Sequence, residues 1–186
     1  MVKKNVITEI FKVAIILFAI TAVAAAILAA VNSVTAPVIA ENNRKAQELA
    51  MKEVLPDASV FEKTEYAFNE KSSVTEVYVT DTGYAVKAAP KGYGGEISMI
   101  VGVDNDLKVT GVEIISQSET AGLGAKCTDS AFKAQFKGKT ENIVVSKNAS
   151  KENEIDAISS ATITSKAVTK GVNDAIAAAK EAMEDK

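Results

Sequence analysis

The hydrophobic pattern divides the chain into one long apolar segment and a following region of short, alternating segments. From Val13 to Ala40 there is no charged residue, and about 20 apolar residues suffice to cross a bilayer as a helix. The pattern predicts a transmembrane helix over 13–34, after a short N-terminus over 1–12. The alternative is a secretory signal peptide, with Ala22-Val23-Ala24 as cleavage site, but its apolar region would span only about 7–15 residues.

Charge at the N-terminus predicts the orientation of this anchor. Lys3, Lys4 and Lys12 flank the apolar segment, and only Glu9 opposes them. Positive residues beside a membrane helix stay on the cytoplasmic side. We therefore expect a single-pass protein of the cell (inner) membrane, with a cytoplasmic N-terminus and an extracytoplasmic C-terminal domain.

After the anchor, apolar residues recur at helical spacing as far as Val54, which predicts a connecting helix over 35–58 that Pro56 ends. Strand patterns follow. Val77-Tyr78-Val79 is rich in β-formers, and residues 83–89 alternate with Tyr84, Val86 and Ala88 on one face. Two further β-rich runs, 96–104 and 108–116, flank Asp104-Asn105-Asp106 and predict a hairpin.

The C-terminal third adds helices to these strands. Residues 129–139 predict a short amphipathic helix closed by Gly138, and 142–147 predict one more strand. A long final helix is predicted over 165–186, and its apolar stripe consists of Val168, Val172, Ile176, Ala179 and Met183. Strands grouped together with helices at the ends predict an α+β domain over 59–186, with an antiparallel sheet and flanking helices.

Composition excludes several classes of function. The chain has 21 basic and 24 acidic residues, a net charge of −3 and no basic stripe, so nothing supports nucleic-acid binding. One cysteine and no histidine remove the usual zinc sites and histidine-based catalysis. Asp104-Asn105-Asp106 is not a calcium loop, because Lys108 takes a ligand position, and we predict no metal site. Cys127 is interpreted as a small buried hydrophobe. Redox chemistry would need a cofactor.

Two glycine-rich segments are candidates for a binding site. Lys91-Gly92-Tyr93-Gly94-Gly95 lies between two strands, and its glycines allow positive φ and close backbone approach. Glu119-Thr120-Ala121-Gly122-Leu123-Gly124 follows a strand, and its exposed N–H groups and single Leu suit the face of a flat aromatic ligand. Taken alone, the first segment favours an ordinary hairpin loop and the second an ordinary strand-to-helix loop.

The third candidate is a cluster of hydroxyl side chains before the final helix. Thr164 or Ser165 is sufficient to cap that helix, which leaves Ser159, Ser160 and Thr162 without a structural role. They precede a helix N-terminus, where unpaired N–H groups and the helix dipole favour an anion. A phosphate would fit there, and a threonine hydroxyl could be joined to it as an ester.

This cluster, "DAISSAT", resembles the flavinylation motif of the FMN-binding domain family, Asp-x-x-Ser/Thr-Gly-Ala-Thr/Ser. The resemblance aligns Asp156, Ser159 and Ala161 with the motif. It implies that Thr162 carries FMN through a phosphoester bond. Ser160 stands where glycine is usual.

The two glycine-rich segments extend the resemblance. "ETAGLG" is similar to the family's Glu-Thr-Pro-Gly-Leu-Gly, and "KGYGG" to its glycine-rich hairpin. With the anchor, the combination resembles G subunits of Rnf-type electron transport complexes, which are homologous to the C subunit of the sodium-pumping NADH:quinone reductase. The cofactor-binding residues implied are Tyr93, Gly94, Glu119, Thr120, Gly122, Leu123, Gly124, Lys126, Asp156, Ser159, Ser160, Ala161, Thr162, Ile163, Thr164 and Ser165.

The resemblance implies an electron carrier without independent catalysis, in a complex that couples ferredoxin:NAD⁺ electron transfer to Na⁺ or H⁺ translocation. Its partners would be other membrane and redox subunits, including a second flavin-carrying membrane subunit, and an ApbE-type flavin transferase that uses FAD and Mg²⁺. A negative Glu119 near the flavin would disfavour its anionic reduced forms, and Lys126 would favour them. The alternatives are the C subunit of a quinone reductase, a stand-alone extracytoplasmic flavoprotein, and a non-redox membrane-anchored adaptor.

Overall fold

A computed structural model describes residues 2–64 and 71–184, with side chains from Thr8 onward, so Lys3 and Lys4 lie outside the described side chains. Helix α1 runs over Val2–Val54. In this part of the chain, it is the one helix long and apolar enough to cross a membrane. The side chains of its apolar segment are exposed throughout, as expected of an anchor that lipid covers.

The predicted membrane helix and connecting helix form one continuous helix in the structure. Pro37 lies inside α1, where its missing N–H leaves one carbonyl without the usual helical partner. The helix ends at Val54, four residues before the predicted limit of 58, because Pro56 disfavours helical backbone at Leu55. By contacts, the chain divides inside α1 into two units, Met1–Arg44 and Lys45–Lys186.

The second unit contains a five-stranded antiparallel meander in the order β1-β2-β3-β4-β5. The predicted strands and the β4–β5 hairpin are confirmed, and Asp104 stabilises the hairpin turn by accepting the N–H groups of Asp106 (2.9 Å) and Lys108 (2.8 Å). The strands are β1 (Glu62–Thr64), β2 (Val74–Val79), β3 (Gly83–Ala88), β4 (Ser98–Asp104) and β5 (Val109–Ser116).

The segment after the sheet contains short elements and one long helix. Two 3₁₀ helices, Gly124–Thr128 and Ala134–Phe136, flank α2 (Ser130–Lys133), and Gly138 follows at φ 77° as the predicted terminator. The strand predicted over 142–147 is present as β6 (Val144–Ser146), and it pairs in parallel with β7 (Glu154–Asp156). Helix α3 spans Thr162–Glu184 and begins three residues before the predicted apolar-periodic segment at Ser165.

Both faces of the sheet are buried. Tyr84, Val86 and Ala88 lie in the main core with α3, as their alternation predicts. The opposite face is covered by the last turns of α1, where Met51 and Val54 pack in a second cluster with Ala85 and Ile100 of the sheet. This second contact explains why β3 is buried almost continuously and not in alternation.

A polar network fastens the end of α1 to the same face of the sheet. The Glu76 carboxylate accepts hydrogen bonds from Gln47 (2.9 Å), Tyr78 (2.8 Å) and Lys63 (2.8 Å), and Lys87 lies 3.7 Å away. Burial acts to raise the pKa of Glu76. The hydrogen bonds from Lys63, Tyr78 and Gln47 and the charge of Lys87 outweigh it and lower the pKa from 4.5 to about 2.

This lowered pKa predicts a loss of stability in acid. Because the carboxyl has its lower pKa in the folded state, its contribution is complete above pH 4.5 and falls as the pH approaches 2. Unfolding of the full chain in non-ionic detergent should show Glu76→Gln less stable by about 1–3 kcal/mol at pH 7, with a smaller difference at pH 3. An equal difference at both pH values would contradict the assignment.

Candidate functional site

A cleft of about 550 Å³ lies in the second unit, where the three candidate segments meet. Its size falls within the roughly 300–1,000 Å³ of small-molecule sites. The loop after β3, the loop after β5 and the first turn of α3 each contribute to its walls. The lining residues are Tyr93, Glu119, Thr120, Leu123, Gly124, Ser160, Ala161, Thr162, Ile163 and Thr164. The structure thus brings together ten of the residues proposed from the sequence.

The prediction that Thr164 or Ser165 caps α3 was wrong, because the helix begins earlier, at Thr162. Both side chains lie inside the first turn and are buried. The Ser165 hydroxyl accepts the N–H of Ile158 (2.9 Å) and donates to the carbonyl of Ala161 (3.0 Å). Ser165 therefore holds the preceding turn in place, and the position before the helix is occupied by Ala161, which has no capping oxygen.

The first turn of α3 consequently presents unpaired donors to the cleft. Within the described residues, the N–H groups of Thr162, Ile163 and Thr164 have no hydrogen-bond acceptor. The first helical N–H groups lack partners in the helix itself, and together with the helix dipole they favour a bound anion. The Thr162 side chain is exposed at this point. A hydroxyl and an anion-binding helix end thus coincide.

Ser160 adopts a left-handed backbone conformation, with φ 62°. Most L-residues pay about 1–2 kcal/mol in this region, whereas glycine does not. The conformation gives a physical reason for the glycine that is usual at this position of the motif. Serine retains the turn at a cost in stability.

We expect Ser160→Gly to raise the free energy of unfolding by about 0.5–1 kcal/mol, since relief of the strained φ exceeds the entropy that glycine adds to the unfolded chain. Ser159 is the matched control, being exposed and without a positive φ. Ser159→Gly should lower stability, because it adds flexibility and relieves nothing. Denaturant unfolding of both variants in detergent tests this, and stabilisation by neither would contradict it.

Glu119 lies at the junction of the three segments and is only 9% exposed. One carboxylate oxygen, Oε1, accepts the N–H of Gly94 at 2.7 Å. The other, Oε2, accepts the hydroxyl of Thr164. Its own N–H donates to the side chain of Gln117 at 2.5 Å. Both oxygens of Glu119 are therefore occupied by donors of the chain itself.

Three glycines make room for this carboxylate and its loop. A Cβ added to Gly92 would lie 2.5 Å from Oε1 of Glu119, and one added to Gly124 would lie 2.6 Å from Oε2. A Cβ on Gly94 would lie 2.1 Å from the carbonyl oxygen of Ser118. None of the three has a positive φ, so they are required for space. Gly92 was not among the predicted site residues. Its position in the glycine-rich segment is the sequence signal that could have identified it.

The other six predicted residues do not line the cleft. Gly94 and Ser165 support it through the contacts above, while Lys126 and Ser159 are outside its lining. Gly122 provides a turn at φ 77°. Asp156 faces a different loop, where its carboxylate accepts the N–H of Ala149 at 2.6 Å.

Cys127 is fully buried beneath this region, in agreement with its interpretation as a buried hydrophobe. Burial, together with the nearby Glu119 carboxylate, raises the pKa of the thiol to about 11. The thiolate is the reactive form of cysteine. Cys127 therefore acts as a packing residue and remains protonated at neutral pH.

Comparisons with known proteins agree with this geometry. Residues 1–54 match the family described as RnfG N-terminal region, and residues 92–177 match the family described as FMN-binding domain. The chain is 43% identical over 187 residues to the G subunit of the Na(+)-translocating ferredoxin:NAD(+) oxidoreductase complex of Acetobacterium woodii, covering 90% of each chain. The chain belongs to the family of these G subunits.

Two further relatives are consistent with this family. The G subunit of the proton-translocating ferredoxin:NAD(+) oxidoreductase complex of Clostridium ljungdahlii is 40% identical, with 81% of this chain and 80% of the relative covered. The G subunit of the ion-translocating oxidoreductase complex of Methanosarcina acetivorans is 33% identical, with 90% and 93% covered. The similarity to all three relatives therefore extends over most of each chain.

The solved structures establish the fold. The C subunit of the Na(+)-translocating NADH-quinone reductase of Parabacteroides distasonis superposes with a TM-score of 0.60 at 19% identity, covering 78% of this chain and 94% of that one. NqrC of Shewanella oneidensis gives a TM-score of 0.53 at 19% identity, with 75% and 74% covered. These similarities confirm the predicted α+β architecture of the G-subunit family member described here.

Proposed function

We propose that the protein is a membrane-anchored flavoprotein that relays electrons within an ion-translocating ferredoxin:NAD⁺ oxidoreductase complex, with FMN joined to Thr162 by a phosphoester. The observation that carries the proposal is the coincidence of an exposed Thr162 hydroxyl with the unpaired N–H groups of α3 in a cleft of about 550 Å³. FMN, when bound, supplies the redox chemistry, because it accepts and releases electrons singly.

The residues of the cleft fit both ends of FMN. The N–H groups of Thr162, Ile163 and Thr164 would bind phosphate oxygens, and the helix dipole would stabilise their negative charge. Tyr93 is 72% exposed and Leu123 42% exposed at the cleft, and apolar side chains of this kind suit a flat aromatic ring. A covalent link at Thr162 would retain the flavin, which would otherwise diffuse away from an extracytoplasmic site.

The anchor and the relatives support the setting of this reaction. Positive charge at Lys3, Lys4 and Lys12 favours a cytoplasmic N-terminus, so the domain would lie outside the cytoplasm in the cell (inner) membrane. Maturation there would require an ApbE-type flavin transferase with FAD as donor. The direct redox partners would be other subunits of the complex, including a second flavin-carrying membrane subunit. The relatives named as ferredoxin:NAD(+) oxidoreductase subunits favour this assembly over a quinone reductase.

Co-expression of the full chain with an active flavin transferase tests the proposal. The purified chain should fluoresce as a flavin on a denaturing gel, and its intact mass should rise by that of one FMN less one water. Co-expression with an inactive transferase is the control. A chain that stays dark, while the same transferase modifies another substrate, would contradict the flavoprotein assignment and favour the non-redox adaptor.

A further inference from the structure

One buried carboxylate connects all three segments of the cleft. Glu119 belongs to the loop after β5, its Oε1 accepts the Gly94 N–H of the glycine-rich loop at 2.7 Å, and its Oε2 accepts the Thr164 hydroxyl of α3. These segments are far apart in the sequence, and Glu119 is separated from Thr164 by 45 positions. The contact is therefore tertiary, and no local turn replaces it.

The environment of Glu119 makes these bonds important. The side chain is 9% exposed and Thr164 is 1% exposed, so water competes little for either group. Among the described residues, no ion pair includes Glu119. A buried carboxylate without a cationic partner depends on its hydrogen bonds, and bonds to an ionised acceptor are about twice as strong as neutral ones.

We propose that Glu119 is a positioning residue of the flavin site, which holds the glycine-rich loop against the first turn of α3 and thereby orients Thr162. This inference rests on the proposed function and adds a role to it. Thr162 and Thr164 occupy the same helical turn, so a shift of Thr164 moves the Thr162 hydroxyl and the adjacent N–H groups together. Because each oxygen of Glu119 already accepts a donor of the chain, the proposal gives Glu119 the role of holding the two segments together.

Hydrogen exchange of the full chain in non-ionic detergent tests the contact without any flavin. Glu119→Gln should accelerate exchange about tenfold in 92–95 and in 160–166 together, as expected when one charge-assisted hydrogen bond is lost. Thr164→Val removes only the hydroxyl donor and should accelerate exchange at least in 160–166. If Glu119→Gln does not fold, Thr164→Val decides the result.

Glu113→Gln is the matched control. Glu113 is a half-buried carboxylate that pairs with Lys133, with side-chain exposures of 19% and 17%, and it does not line the cleft. Its replacement should leave exchange in 92–95 and 160–166 unchanged. The proposal would be overturned if Glu119→Gln exchanged at the wild-type rate in both 92–95 and 160–166. It would also be overturned if Thr164→Val exchanged at the wild-type rate in 160–166.

The rate of flavin incorporation gives a second readout. With transferase and FAD, Glu119→Gln and Thr164→Val should each incorporate flavin about tenfold more slowly than wild type, and Glu113→Gln at the wild-type rate. A chain with both substitutions should incorporate flavin no more slowly than Glu119→Gln alone, because the two substitutions break the same contact between Glu119 and Thr164. Additive slowing would overturn the proposal. If wild type takes up no flavin, the proposed function fails, while the exchange experiment still decides the role of Glu119.

Discussion

Replacing Thr162 with alanine is expected to abolish covalent attachment of FMN. Thr162 is the exposed hydroxyl at the start of α3, beside the unpaired N–H groups that would hold the phosphate. Alanine removes the oxygen that would bond to phosphorus and leaves the backbone donors in place. In-gel fluorescence and the intact mass of the co-expressed chain should therefore show no flavin.

Two controls give this result its meaning. Thr162→Ser keeps the hydroxyl and should retain flavin. Thr164, the nearest other threonine, is an unsuitable tether, because its hydroxyl is 1% exposed and donates to Glu119. A Thr162→Ala chain that still carried covalent flavin would show that the tether lies elsewhere, and peptide mapping would locate it.

Replacing Gly94 with alanine is expected to be the most destabilising of the glycine substitutions in the site. The added Cβ would lie 2.1 Å from the carbonyl oxygen of Ser118 and 3.2 Å from the Cα of Glu119. Both obstacles are backbone atoms, so the loop must shift and the Glu119–Gly94 hydrogen bond must lengthen. Overpacking costs about 1–3 kcal/mol, and loss of a hydrogen bond to a charged group adds about 1.5–3 kcal/mol.

Gly122→Ala separates this steric effect from a general effect of losing glycine. Gly122 has φ 77°, and no atom lies within 4 Å of an added Cβ. Gly122→Ala should therefore lower the free energy of unfolding by only about 1–2 kcal/mol, which is the cost of an L-residue in the left-handed region. Denaturant unfolding of the full chain in detergent measures both variants. Equal destabilisation by the two would contradict the steric explanation given for Gly94.

Sequence periodicity predicted most of the second unit, because its strands and its last helix are long enough to show a pattern. The alternation of Tyr84, Val86 and Ala88 corresponds to the core face of β3. By contrast, β1 and β7 have three residues each, too few for a repeat, and their sequences contain charged residues. They form because a neighbouring strand offers unpaired backbone groups, which no local pattern reveals.

The start of α3 differs from the start that the capping preference of its residues predicted. Capping preference favours a hydroxyl residue just outside the helix, and for this reason the sequence predicted Thr164 or Ser165 as the cap. In the structure the Thr164 hydroxyl donates to Glu119, 45 positions away in the chain. The Ser165 hydroxyl accepts the N–H of Ile158, seven residues before it, and so holds the preceding turn. The helix begins earlier, with Ala161 preceding it, and neither hydroxyl acts as the cap.

Composition and short-range periodicity were sufficient to predict the apolar anchor, strands β2 to β6, the final helix and the three segments that form the cleft. What the residues of those segments do depends on contacts that form only in the folded chain. It directs Asp156 to another loop and places both oxygens of Glu119 against Gly94 and Thr164. It also assigns three glycines to making space for that carboxylate and its loop. These roles depend on distances between residues far apart in the chain, and hydrophobic periodicity contains no information about such distances.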